Sequence, residues 1–137
     1  MPSKLRLTRI GDRIKQEISE MLVMQQISDP RLFGVTITDV KVDRELAFAS
    51  IYVSALEGSE RSKEILEGFE SANSYIRKLL ASRIQIRSFP RLRFYWDPTP
   101  ERADRIEQIL ASIKNEENNQ YPENDLEKME DDDIIKQ

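Results

Sequence analysis

Apolar positions recur along this chain with two different periods, and the changes of period mark out its elements. From about Thr8 to Gln26, Ile10, Ile14, Ile18, Met21 and Leu22 return at helical spacing and form one stripe, which predicts an amphipathic helix. Arg6, Arg9 and Arg13 are three and four apart and line one flank of it. "SDPRLFG" (28–34) ends the helix, because Pro30 biases Asp29 away from helical angles. The pattern then changes to alternation. "VTITDVKV" (35–42) and "LAFASIYVS" (46–54) are rich in β-branched and aromatic residues and read as two strands, joined through "DRE" (43–45) in a tight hairpin. In the second strand Ala47, Ala49, Ile51 and Val53 share the face against which a helix packs, and Phe48 and Tyr52 look the other way.

Helical spacing returns in "SERSKEILEGFES" (59–71), with Ser59 as the cap and Ile65, Leu66 and Phe69 facing inward. A separate helix is expected over "YIRKLLASRI" (75–84), burying Ile76, Leu79 and Leu80. "FPRLRFYWD" (89–97) alternates again: Leu92, Phe94 and Trp96 on one face, Arg91, Arg93 and Tyr95 on the other. In "DPTPERADRIEQILASIK" (97–114), Thr99 can cap a last helix, Pro100 fits its first position, and Ile106, Ile109, Leu110 and Ile113 form its stripe. The order helix, strand, strand, helix, helix, strand, helix predicts an α+β fold with helices on one face of a three-stranded sheet.

Charge divides the chain at Lys114. Residues 1–114 hold 19 cations and 16 acids, whereas residues 115–137 hold 2 cations and 9 acids, so the overall charge of −4 belongs to the C-terminal end. That end, "NEENNQYPENDLEKMEDDDIIKQ", has one aromatic and no sustained apolar period, and it reads as an acidic disordered tail that aids solubility. Residues 1–114 read as one domain, large enough to fold around a core of its own.

Within that domain the 26 residues from Ser71 to Trp96 contain no carboxylate but six cations: Arg77, Lys78, Arg83, Arg87, Arg91 and Arg93. On the helix over 75–84, Ser74, Arg77, Lys78 and Ala81 share the face opposite Ile76, Leu79 and Leu80. Several elements would thus present cations with no acid nearby in sequence, which is the footprint of a polyanion site. Asp12, Glu17 and Glu20, supplied by the first helix, are the acids able to neutralise part of it. Tyr95, Tyr52 and Phe48 raise base stacking as a further possibility. Aromatics on strands more often pack against neighbours, and no RNP-type run of glycine and phenylalanine is present, so stacking is set aside here.

The composition narrows the chemistry. With no Cys and no His there is no disulfide, no Cys/His zinc site and no Ser-His or Cys-His catalytic pair. Asp39 and Asp43 remain as acid–base candidates, but nothing in the sequence creates a dry site around them. No catalysis and no cofactor are expected. No run approaches the roughly 20 apolar residues of a membrane span, and no apolar stretch follows the N-terminal cations, so a cytoplasmic, membrane-free protein is expected.

"RLTRIGDRIKQEISEML", "DPRLFGVTITDVKVDRELAFASIYVS" and "RKLLASRIQIRSFPRLRFYWDPTPERADRIEQIL", in that order, resemble bacterial ribosome-binding factor A over about residues 4–114. The resemblance implies a type II KH-like domain and a monomeric, cold-shock-associated assembly factor. Such a factor binds the small ribosomal subunit and its rRNA, supports late rRNA maturation and is released with the help of a ribosome-assembly GTPase. It also implies an Ala-x-Gly kink between the second and third helices. That motif falls on Ala72, Asn73 and Ser74, with Ser in place of Gly, and a kink with Asn73 or Ser74 in a left-handed conformation is expected. The candidate RNA-binding residues are therefore Arg9, Arg13, Ser74, Arg77, Lys78, Arg83, Arg87, Arg91 and Arg93. The alternative is a protein-interaction module that docks an acidic partner through the same basic face.

Overall fold

The computed structural model describes residues 3–120. The first helix, α1 (Lys4–Val23), starts four residues before the expected Thr8, because Ser3 caps it by accepting the Arg6 N–H at 3.1 Å. Ile10, Ile14, Ile18 and Met21 are buried along it as the spacing requires. After α1 the chain turns through Gln25, whose φ is 55°, and passes a 3-10 turn at Pro30–Leu32.

Strands β1 (Val35–Val42) and β2 (Phe48–Ala55) pair antiparallel as the hairpin predicted, while β3 (Arg91–Trp96) pairs parallel with β2 on its other side. The register slips between Ile37 and Asp39, so Thr38 is an extra residue in β1. The bulge keeps Val35, Ile37 and Val40 all in the core, which strict alternation would not allow. The bulged residue also makes a tertiary contact: Thr38 Oγ1 donates to Asp97 Oδ2 at 2.6 Å, tying β1 to the end of β3. β2 begins at Phe48, so the expected Ala47 lies outside it and is exposed.

The largest departure from the expected elements lies between the strands. Residues 59–61 form a 3-10 turn, so Ser59 does not cap a long helix, and α2 then runs without a break from Ser62 to Arg83. Neither Asn73 nor Ser74 has a positive φ; among the described non-glycine residues only Gln25 and Leu46 do. The expected division into two helices with a left-handed kink is corrected accordingly. The cause is visible in the packing. Ile65, Phe69, Ala72, Ile76 and Leu80 follow one another at three- or four-residue steps through the Ala72–Ser74 segment, so a single straight stripe stays on the core.

α1 and α2 pack on the same face of the sheet, against Ala49, Ile51, Val53 and Leu92. Ala49 leaves room for close approach, and Phe69 stacks on Phe94 with ring centroids 4.5 Å apart. At Gly11 the helix comes so near β1 that a Cβ there would lie 2.8 Å from the Val40 carbonyl oxygen. The 3-10 turn is fixed to α2 in turn. Asp29 accepts Arg31 through both carboxylate oxygens, Arg61 Nη2 donates to the Arg31 carbonyl, and the Arg31 side chain lies over Gly68. Hydrogen bonds from the Arg31 side chain hold the Asp29 carboxyl below its ordinary pKa, and those from Arg61 do the same for Glu57.

The chain divides into two compact units at Pro100/Glu101. The second is described through α3 (Thr99–Gln120), which begins at Thr99, where Asp97 Oδ1 accepts the backbone N–H at 2.9 Å. On α3 the expected stripe of Ile106, Ile109, Leu110 and Ile113 is present and exposed. The helix continues past Lys114, the boundary drawn from charge. The rest of the expected acidic tail, residues 121–137, lies outside the described residues.

Candidate nucleic-acid interface

The acid-free stretch is built from the C-terminal half of α2, the connection 84–90 and β3. Ile84, Phe89 and Pro90 are buried and anchor the connection to the core, while Gln85, Arg87 and Ser88 are exposed. Two polar residues one helical turn apart on α2 fasten this segment. Asn73 Nδ2 donates to the Leu92 carbonyl at 3.1 Å. Arg77 donates from Nε to the Pro90 carbonyl at 3.1 Å and from Nη2 to the Phe89 carbonyl at 2.6 Å. β3 is an edge strand of the sheet; Asn73 occupies a carbonyl of that edge, and Arg77 occupies two carbonyls of the connection that leads into it.

Between α2 and this segment lies an open groove of 670 Å³, a volume on the scale of a small-molecule cleft. Ile86, Phe89 and Leu92 supply apolar lining, and Ser74, Arg77, Lys78, Arg87 and Arg91 supply the polar margin. No carboxylate lines it. No acid among the described residues forms an ion pair with Lys78, Arg87 or Arg91. These three exposed cations are therefore available to a polyanion, whereas Arg77 already commits donors to the backbone and carries its charge at the groove wall.

The other candidates are placed elsewhere. Arg83 Nη1 pairs with Glu17 Oε1 at 3.3 Å, and Arg13 Nε pairs with Glu17 Oε2 at 3.2 Å. Arg13 also donates to the Arg83 carbonyl, and Arg83 to Gln26 Oε1. One carboxylate of α1 thus pairs with two guanidinium groups, offsetting one of their two charges, and joins α1 to the end of α2. Arg9 is exposed on α1, outside the groove lining. Arg93 lies on the opposite face of the sheet, its guanidinium carbon 3.5 Å from the centre of the Phe48 ring. The groove brings together Ser74, Arg77, Lys78, Arg87 and Arg91 from the candidate set and leaves out Arg9, Arg13, Arg83 and Arg93.

Asn73 was not among the candidates, though it fixes the groove wall. Its signal was a polar residue of low helix propensity in phase with a basic face. The character of the groove comes from fixed positive charge beside apolar surface, an arrangement suited to holding a phosphate backbone.

The sequence model of the ribosome-binding factor A family matches residues 6–110. A ribosome-binding factor A from Halothermothrix orenii is 36% identical over 112 residues, covering 82% of this chain and 91% of that protein. One from Alkalilimnicola ehrlichii is 38% identical over 117 residues, covering 85% and 89%. Among solved structures, the crystal structure of ribosome-binding factor A from Thermus thermophilus superposes with a TM-score of 0.57 at 27% identity, covering 65% of this chain and 93% of that one. A homology model of the Thermus thermophilus factor, fitted into the cryo-EM map of a complex with the 30S subunit, superposes with a TM-score of 0.53 at 28% identity, covering 64% and 91%.

Proposed function

Because this chain belongs to the ribosome-binding factor A family, we propose that it binds the small ribosomal subunit through rRNA and supports late maturation of that RNA without catalysing a reaction. The observation that carries the proposal is the groove beside α2, in which Lys78, Arg87 and Arg91 form no ion pair among the described residues and no carboxylate lines the wall. An RNA backbone entering it gains three charge contacts and releases counterions, while Ile86, Phe89 and Leu92 give apolar surface to sugars or bases. The relative fitted into a 30S complex supports the same kind of partner.

The wider reading rests on membership of that family. Residues 1–114 are the KH-like binding domain and the acidic C-terminal end a solubilising tail. The protein works as a monomer in the cytoplasm, in the cold-shock response among other conditions, and a ribosome-assembly GTPase releases it once the subunit is mature. No described helix is long and apolar enough to cross a membrane.

Crosslinking in cells followed by mapping of the RNA contacts tests this reading. Contacts concentrated in small-subunit rRNA are expected, together with loss of subunit co-purification after RNase treatment. Contacts scattered over messenger RNA, or an RNase-resistant protein complex, would replace it with a different RNA target or with the docking of an acidic protein.

A further inference from the structure

The face of the sheet turned away from α1 and α2 carries a pattern that shares only Arg91 with the groove. The strand pairing arranges it in three rows. Phe48 lies opposite Arg91; Ser50 lies between Lys41 and Arg93; Tyr52 lies between Asp39 and Tyr95. Cations and rings also meet along the diagonals between rows. The Arg93 guanidinium lies 3.5 Å from the centre of the Phe48 ring, Lys41 Nζ is 5.9 Å from that of Tyr52, and Tyr52 and Tyr95 stack with centroids 5.5 Å apart.

We propose that this open sheet face is a second RNA-binding surface, which takes a short single-stranded segment by stacking its bases on Tyr52, Tyr95 and the Phe48–Arg93 pair while Lys41, Arg91 and Arg93 hold its phosphates. Tyr95 is 40% exposed and Tyr52 and Phe48 are half-buried, with Lys41, Arg91 and Arg93 exposed beside them, so one ring lies open and two are partly open next to the charges. Cross-strand packing alone would account for two tyrosines in register, but it does not call for a cation against both Phe48 and Tyr52. Lys41, Arg91 and Arg93 have no ion-pair partner among the described residues. The one acid in the three rows, Asp39, has Oδ1 engaged by the Val40 N–H.

This surface selects its ligand by two properties at once. Three cations against one acid in its rows ask for a polyanion, although Glu67 and Glu70 of α2 line a hollow beside Arg93 and Tyr95 at the β3 edge, and its rings ask for a partner with free flat faces. An acidic protein meets only the first. A duplex keeps its bases stacked on one another and offers no face to Tyr52 or Tyr95. Arg93 serves both roles, because a guanidinium lying flat on Phe48 leaves its N–H edge directed outward for phosphate. The absence of an RNP-type run does not weigh against it, since the rings come from neighbouring strands through register and not from one contiguous motif. Arg91, the first residue of β3, also lines the groove. A strand leaving the groove would therefore cross the sheet edge at a cation common to both surfaces.

The test is fluorescence-anisotropy titration of an unstructured eight-nucleotide oligouridine, with Tyr95→Ala, Tyr52→Ala, Tyr95→Phe and Arg93→Gln variants whose folding is verified by circular dichroism. Losing one stacked base is expected to weaken binding about tenfold in either alanine variant, with the slope of log affinity against log salt unchanged. Tyr95→Phe should bind as the wild type does, and Arg93→Gln should flatten the slope by about 0.7. The tyrosine effect should persist in a Lys78→Glu/Arg87→Glu background, which separates this surface from the groove. Photocrosslinking of the wild-type protein to the same oligomer carrying 5-iodouridine should label Tyr52 or Tyr95, a readout that needs no variant to fold. Unchanged affinity in both folded alanine variants, or crosslinks confined to the groove, would overturn the proposal. So would binding of an acidic peptide in place of the oligomer.

Discussion

The Arg77 guanidinium donates through Nη2 to the carbonyl of Phe89 at 2.6 Å, and through Nε to that of Pro90. Its neighbour in sequence, Lys78, lines the same groove without an ion-pair partner among the described residues. Two adjacent cations on one helix face therefore differ in role, one holding the wall and the other open to a ligand. Arg77→Ala is expected to destabilise the fold by about 1–3 kcal/mol, the scale of losing hydrogen bonds from a charged donor, while Lys78→Ala stays within about 0.5 kcal/mol of the wild type. Denaturant unfolding of both variants measures the difference. Equal stabilities would show that the Arg77 contacts contribute nothing in solution.

Ser74 reports on the continuity of α2. It sits exposed within the unbroken helix Ser62–Arg83, so Ser74→Gly gains no relief of strain and adds backbone freedom to the unfolded chain. A loss of about 0.5–1 kcal/mol is expected in equilibrium unfolding. A gain in stability would indicate a left-handed residue and a kinked helix.

Gly11 tests how closely α1 approaches β1. Alanine is the better helix former by about 1 kcal/mol, yet its Cβ would lie 2.8 Å from the Val40 carbonyl oxygen, which is backbone and cannot swing aside. The clash should prevail, so that Gly11→Ala is destabilising by about 1–3 kcal/mol in denaturant unfolding. A stabilised variant would place the helix further from the sheet.

Asp29 gives the fold a defined response to acid. Hydrogen bonds from the Arg31 side chain hold its pKa below the ordinary value in the folded state. Its contribution is therefore complete above the unfolded pKa of about 3.9 and is lost as pH falls through the lower folded value. The stability difference between wild type and Asp29→Asn, followed by thermal melts, should be constant from neutral pH to about 5 and should shrink below about 4. A difference that grew on acidification would contradict the assigned sign.

Much of this architecture was legible because local patterns and tertiary packing agree. The stripe of Ile10, Ile14, Ile18 and Met21, the alternation in β2 and β3, and the outward turn of Arg91, Arg93 and Tyr95 all follow from periodicity alone. The continuity of α2 was also written in the spacing. Phe69 and Ile76 are seven apart, two helical turns, but the expectation of a kink at Ala72–Ser74 outweighed that phase. The bulge at Thr38 left no composition signal, because it is set by pairing with β2. The site was less legible for a related reason. Which of six cations remains free depends on partners distant in the chain. Glu17 is 66 residues from Arg83, and the carbonyls that hold Arg77 belong to the connection before β3. Sequence located the positive charge but not its allocation.

The central claim is that the groove cations hold rRNA on the small subunit, and the salt dependence of binding to isolated small subunits tests it most directly. Lys78 and Arg87 can be reversed without removing any hydrogen bond or ion pair found among the described residues. In the folded Lys78→Glu/Arg87→Glu variant, affinity at moderate salt should fall at least tenfold. The slope of log affinity against log salt should flatten by about 1.4 to 1.8, at about 0.7 per lost contact for a single strand and about 0.9 for a duplex. The same affinity and the same slope as the wild type would contradict the account and leave the acid-free stretch a solvated surface.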